Sequence, residues 1–150
     1  MAGRCELNPQ DCSLGLQLQD GGATLVPPCH GAFGFAWSGA RGAVGVCGGR
    51  HRFSVTVLQE LLPPAAAAAT LAAIPELDAA PGVRVGVSCA STDVAMLGES
   101  ATSWAYSSLG KKCGGGGGFL PYGVRFGVGD EVISLFHMCV ACSATPVRRL

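Results

Sequence analysis

The chain has 150 residues, of which 49% are hydrophobic and 13% are charged, and its formal net charge is zero. This length predicts one domain with its own core, and the apolar content excludes a disordered chain. The zero net charge removes any bulk electrostatic argument for nucleic acid, a membrane surface or an acidic substrate. No apolar run is long enough to span a bilayer. No secretory signal is visible, so we expect an intracellular protein with free thiols.

The first predicted element is a half-buried strand over residues 11–20, where apolar and polar side chains alternate. A turn follows at Asp20 and the two glycines after it. Residues 35–46 then predict strand, tight turn and strand around Trp37, whose ring is expected to anchor the core. Gly39 and Gly42 are predicted to permit the turn at Ala40 and Arg41.

Alternating apolar residues predict further strands over residues 51–60, 83–88 and 131–138, and a short strand over 104–106. Residues 61–82 form a Pro/Ala-rich insertion, which is either a short helix over 64–74 or a low-complexity loop. Residues 110–120 predict a flexible, glycine-rich and weakly basic loop, and residues 127–130 predict a turn. Many short strands bounded by turns favour an antiparallel β-sandwich.

Several segments, in this order, resemble a SPRY domain of the branch that includes heterogeneous nuclear ribonucleoprotein U. The resemblance covers residues 10–138, which would form a partial SPRY domain between a flexible N-terminus (1–9) and a divergent tail (139–150). The matching segments are 37–46, Gly49, 53–57, 83–88, 97–99, 104–106, 110–112, Tyr122–Gly123, Phe126, 130–133 and Phe136.

The chain departs from the family pattern at several places. Val87 stands where the family usually has Trp, and five glycines replace an acidic loop. After Met138 the family's Asn-Gly hairpin and closing strands are not recognisable, so we expect the sandwich to be incomplete at its C-terminal end. Such a sandwich would have unpaired strand edges and uncovered apolar strands, which predicts marginal stability or a need for a partner strand.

The resemblance implies a non-catalytic module that binds a peptide or partner loop through loops at one end of the sandwich. The expected contact residues are Arg41, Arg84, Trp104, Tyr106, Tyr122 and Arg125. Arg41 is alternatively a structural residue paired with a carboxylate such as Asp130. Arg84 is expected to face away from the core, so that Arg84→Glu would abolish partner binding without altering the fold. Arg84 is alternatively a solvated arginine. Trp104 and Tyr106 form either a docking platform or part of the core.

Signatures of enzymes and metal sites are incomplete. Residues 86–90 lack the final glycine of a Gly-x-Ser-x-Gly elbow, and Lys112 occupies the Ser/Thr position of a phosphate-binding loop. His137, Cys139 and Cys142 supply three ligands where a structural zinc site needs four. We therefore expect no catalysis, no cofactor, no metal and no small-molecule substrate.

Two other interpretations stay open. The first is a component of a nuclear ribonucleoprotein particle with RNA association, although the basic clusters are few. The second is a truncated, non-functional fragment. Placement in the nucleus rests on the family resemblance alone.

Overall fold

The computed structural model describes residues 5–27, 37–59 and 82–138, and over these ranges the protein is all-β, as predicted. Regular structure there consists of strands and two single 3-10 turns, Asp20–Gly22 and Val94–Met96. The strands are β1 (Leu7–Cys12), β2 (Gln17–Gln19), β3 (Thr24–Val26), β4 (Ala40–Gly42), β5 (Gly49–Thr56), β6 (Arg84–Ser88), β7 (Ser103–Ser107), β8 (Lys111–Gly114), β9 (Leu120–Pro121) and β10 (Glu131–Met138).

The described strands form four antiparallel groups. The largest is a four-stranded sheet in the order β6-β7-β8-β9. β5 pairs with β10, β1 pairs with β4, and β2 forms a hairpin with β3. β10 also lies against β6, so the two-stranded β5–β10 unit borders the four-stranded sheet.

The four-stranded sheet has two chemically different faces because side chains alternate along each strand. One face, called here the aromatic face, carries Val85, Val87, Trp104, Tyr106, Lys112 and Leu120. The opposite, small-residue face carries Ser103, Ala105, Ser107 and Cys113, all of which are buried. The predicted strand over residues 104–106 is confirmed, and the rings of Trp104 and Tyr106 lie on the same face, as predicted.

The small-residue face is covered by the segment that contains the second 3-10 turn. The Gly98 amide donates to Ser103 Oγ over 2.9 Å, and Cys113 Sγ donates to the Gly98 carbonyl over 2.7 Å. A Cβ on Gly98 would lie 2.8 Å from the Ala105 Cβ, and Gly98 has a φ of +88°. Only glycine therefore fits at this position, and small side chains below it allow the close approach.

The β5–β10 pair is regular along its whole length. Its register runs from Glu131 opposite Thr56 to Met138 opposite Gly49, which confirms the predicted strand over residues 131–138. Val132, Ser134 and Phe136 are half-buried, whereas Ile133 and Leu135 on the other face are exposed. The turn before β10 is also as predicted, because Gly127 N–H donates to the Asp130 carboxylate over 2.8 Å.

The predicted single strand over residues 11–20 is wrong. β1 ends at Cys12 and β2 begins at Gln17, with a turn at Leu14 and Gly15 between them. Gly15 has a φ of +86°, which breaks an extended strand, and Leu14 is exposed instead of buried. β1 also starts at Leu7, so regular structure begins inside the segment predicted to be a flexible N-terminus.

The predicted tight turn at Ala40 and Arg41 is wrong as well. Residues 40–42 form β4, which pairs with β1, and Val44 and Val46 lie in irregular chain. Gly39 does not form a turn; it allows the chain before β4 to pack closely against Val94, because a Cβ at Gly39 would overlap the Val94 carbonyl. The part of the predicted unit before Trp37 lies outside the described residues.

The predicted loop at 110–120 contains a strand. Lys111–Gly114 pairs with both β7 and β9, and the irregular chain follows it. Gly114 lies opposite Trp104, where a Cβ would overlap the indole ring, so glycine is needed beneath this side chain. Most of the Pro/Ala-rich insertion and the whole tail at 139–150 lie outside the described residues.

Candidate partner-binding cleft

The aromatic face is not covered along its full width. Trp104 is 51% exposed, and it lies over Gly114 on the neighbouring strand. The interpretation of Trp104 as a core residue is therefore wrong, and the alternative of an accessible aromatic platform fits its exposure. Val85, at the β6 end of the same face, is buried, so the face changes from covered to open along the sheet.

Three aromatic rings, those of Tyr106, Tyr122 and Phe126, form a cluster at the aromatic face. The Tyr106 ring lies 6.0 Å from Tyr122 at 80° and 5.5 Å from Phe126 at 34°, between ring centroids. The Tyr106 hydroxyl donates to the Val124 carbonyl, which fixes the ring in place. A Cβ on Gly123 would lie 2.7 Å from this hydroxyl, so glycine is required there. Tyr122 itself is 69% exposed.

Beside the aromatic face runs an open cleft of about 930 Å³. Its floor is the aromatic face with the segment from Tyr122 to Phe126, and its wall is residues 131–136 of β10. Large apolar side chains along it are exposed: Trp104, Leu120, Tyr122, Val124, Ile133 and Leu135. An apolar patch of this extent is typical of a surface that binds another molecule.

The charged groups of the cleft are few. Lys112 Nζ lies 4.4 Å from the Tyr122 ring centroid, and Glu131 lies at the start of the wall. Arg125 is exposed between two residues of the floor. Neither Lys112 nor Arg125 has a carboxylate partner within the described part of the chain, so both cations are open to a ligand.

Arg84 lies on the opposite side of the sheet. Its guanidinium carbon lies 3.7 Å from the Trp37 ring centroid and 4.4 Å from that of Phe119, and it pairs with Glu99. The Arg84 side chain is only 12% exposed, so it is not a solvated arginine. Trp37, expected in the core, is 43% exposed and packs on this cation.

Arg41 also serves a packed region away from the cleft. Its guanidinium pairs with Asp11 and donates to the Thr92 carbonyl, to the Ala90 carbonyl over 3.0 Å and to Ser88 Oγ over 3.3 Å. The partner is therefore Asp11 and not Asp130, the carboxylate suggested from the sequence. These bonds connect β4 to β1 and to the end of β6.

The structure thus divides the six expected contact residues. Trp104, Tyr106 and Tyr122 meet in the cleft, and Arg125 lies beside it, whereas Arg41 and Arg84 hold the other side of the sheet together. Sequence reasoning missed Lys112, because residues 110–120 were predicted to be a loop. It also missed Leu135 as a wall residue, although its position in an apolar strand was a usable signal.

Within residues 5–27, 37–59 and 82–138, no group of three or more His, Cys, Asp or Glu side chains is placed to hold a metal. The Cys139–Cys142 pair lies outside these ranges. None of the helices in the described ranges has the length and apolar character needed to cross a bilayer.

Comparison of this chain with models of known protein families finds no match, and comparison with curated protein sequences finds none either. The SPRY resemblance therefore stays a prediction based on the ordered motifs.

Proposed function

We propose that this protein is a non-catalytic interaction module that binds a peptide or loop of a partner protein in the cleft. The observation that carries the proposal is the uncovered aromatic face, with Trp104 and Tyr122 exposed beside the apolar wall of β10. Tyr and Trp dominate the binding energy of protein interfaces when a partner buries them. Trp104 packs over Gly114, and Tyr122 packs against Tyr106, whose hydroxyl donates to the Val124 carbonyl, so these rings form a pre-organised surface.

The proposal includes the fold family. We propose a SPRY-type β-sandwich in which β5–β10 faces part of the four-stranded sheet. In this arrangement the partner covers apolar side chains that are exposed on the aromatic face and on β10.

The chemistry of the cleft favours a protein ligand over RNA. Its floor and wall are mainly apolar, with Lys112 as the cation on the floor and Glu131 on the wall. Zero net charge makes the counterion-release contribution to nucleic-acid binding small. A peptide with apolar side chains and an acidic residue complements both the rings and the lysine.

The test is selection of a random 12-residue peptide display library against the immobilised full chain, followed by fluorescence titration of the enriched peptides. Trp37→Phe leaves Trp104 as the single tryptophan, so binding in the cleft is expected to shift its emission to the blue. Trp104→Ala removes this reporter, so its affinity is measured by the fluorescence anisotropy of a dye-labelled peptide, and the variant is expected to bind at least tenfold more weakly, as for an interface hot spot.

Leu14→Ala is the matched control, because Leu14 is an exposed apolar residue that does not line the cleft. Failure to enrich any peptide would overturn the proposal. Equal affinity of the Trp104→Ala variant would do the same. Salt-sensitive binding of homopolymer RNA that shifts Trp104 emission, without any peptide binding, would favour the ribonucleoprotein interpretation instead.

A further inference from the structure

The wall of the cleft is the edge of strand β10. β10 pairs with β5 on one side, and within the described residues no strand pairs with its other side. Six consecutive residues, 131–136, line the cleft, so residues from both faces of the strand border it. β10 therefore presents its edge, with backbone donors and acceptors, to the cleft.

The hydrogen-bond pattern identifies which backbone groups of β10 point away from β5. Val57 N–H donates to the Asp130 carbonyl over 3.1 Å, so Asp130 directs its carbonyl toward β5. Backbone groups of an antiparallel strand alternate in direction from one residue to the next. Ile133, Leu135 and His137 therefore direct their N–H and C=O groups away from β5, along the open edge.

From this edge and floor we propose that the ligand binds by strand addition: an extended partner segment pairs with β10 and lays alternate apolar side chains on the aromatic face. The inference rests on the proposed function of the cleft and specifies the conformation of its ligand. Main-chain hydrogen bonds to Ile133 and Leu135 would supply affinity, and the side-chain contacts would supply specificity.

The occupant is an extended segment of a different protein that carries an acidic side chain. Lys112 projects from the aromatic face, contacts the Tyr122 ring and has no carboxylate partner among the described residues. An Asp or Glu of the added strand would pair with it. A second copy of this chain, paired edge to edge through β10, is the alternative occupant, and light scattering distinguishes it in the test below.

The peptides enriched from the 12-residue library test this mode directly. Strand addition predicts apolar residues at every second position and an enriched acidic residue, whereas a bound helix predicts spacings of three and four. N-methylation of one backbone amide at a time in the leading peptide is expected to weaken binding about tenfold at alternate positions only.

Leu135→Pro removes one outward N–H while leaving the pairing with β5 intact, since proline is tolerated on an edge strand. Leu135→Ala is its matched control, because it removes the exposed side chain and keeps the N–H. The proline variant is expected to bind the leading peptide about tenfold more weakly than the alanine variant. Circular dichroism and the thermal midpoint of the two variants check that both fold, and Ile133→Pro is the second variant if Leu135→Pro does not.

Strand addition is overturned, with the proposed function intact, by helical spacing in the enriched peptides or by binding that no N-methylation weakens. It is also overturned if light scattering shows a dimer that Leu135→Pro dissociates. Absence of any enriched peptide overturns the inference and the proposed function together.

Discussion

The guanidinium of Arg84 lies against the Trp37 ring, 3.7 Å from its centroid, on the side of the sheet opposite to the cleft. Phe119 contacts the same cation at 4.4 Å, and Glu99 pairs with it. Two residues that the sequence assigned to different roles, partner contact and core, thus form one packed unit. The unit connects Trp37, which precedes β4, to β6 and to the chain before β9.

The first prediction concerns this unit. Arg84→Glu would place a second carboxylate beside Glu99 in a site where the Arg84 side chain is 12% exposed. We expect a loss of about 2 kcal/mol in the free energy of unfolding, measured by urea denaturation, because the guanidinium is lost from a half-buried ion pair with Glu99 and from the face of the Trp37 ring. An unchanged denaturation midpoint would restore the expectation from the sequence that Arg84→Glu leaves the fold unaltered.

Arg41 supports the second prediction. Arg41→Lys keeps the charge, but an ammonium group cannot reproduce the hydrogen bonds that the planar guanidinium donates to Asp11, Ser88 and two backbone carbonyls. We expect a loss of about 2 kcal/mol in unfolding free energy, with Arg50→Lys as a neutral control on an exposed residue. Equal stability of the two variants would show that the hydrogen bonds of Arg41 contribute nothing.

Gly39 supports the third prediction. Its replacement by alanine would push a methyl group into the Val94 carbonyl and separate β4 from the second 3-10 turn. We expect Gly39→Ala to lower the unfolding free energy by about 1–3 kcal/mol. Gly45→Ala is the control, because nothing lies within 4 Å of a Cβ at that position. Similar stability of both variants would contradict the close packing.

The fourth prediction concerns the whole domain. In the described ranges the fully buried apolar residues are Val85, Ala105 and Cys113, whereas twelve large hydrophobic side chains are exposed. We expect the free chain to unfold below the roughly 45–65 °C range of ordinary domains, and a cleft-binding peptide to raise the midpoint. Calorimetry that shows a monomeric, cooperative transition near 60 °C without ligand would contradict this.

The strands that the sequence predicted well are those in which alternation is long and supported by β-branched or aromatic residues. Both β10 and β7 occur where the pattern predicts them, because a period of two leaves few other ways to bury one face. The segment at 11–20 has the same pattern, yet Gly15 turns the chain there. The sequence did not predict β8, because its Gly114 resembles a loop glycine. Gly114 is required there because the Trp104 ring on the neighbouring strand packs over it, a contact that no local pattern reveals.

The amino-acid sequence alone determined the all-β class, the place of the main strands and the set of aromatic residues available for binding, because these follow from local periodicity and composition. Only the tertiary structure decided that Trp104 and Tyr122 share an open cleft, while Arg41 and Arg84 stabilise the opposite side of the sheet. The reason is physical: exposure and ion pairing depend on which distant segments pack together. Asp11 reaches Arg41 from 30 residues away.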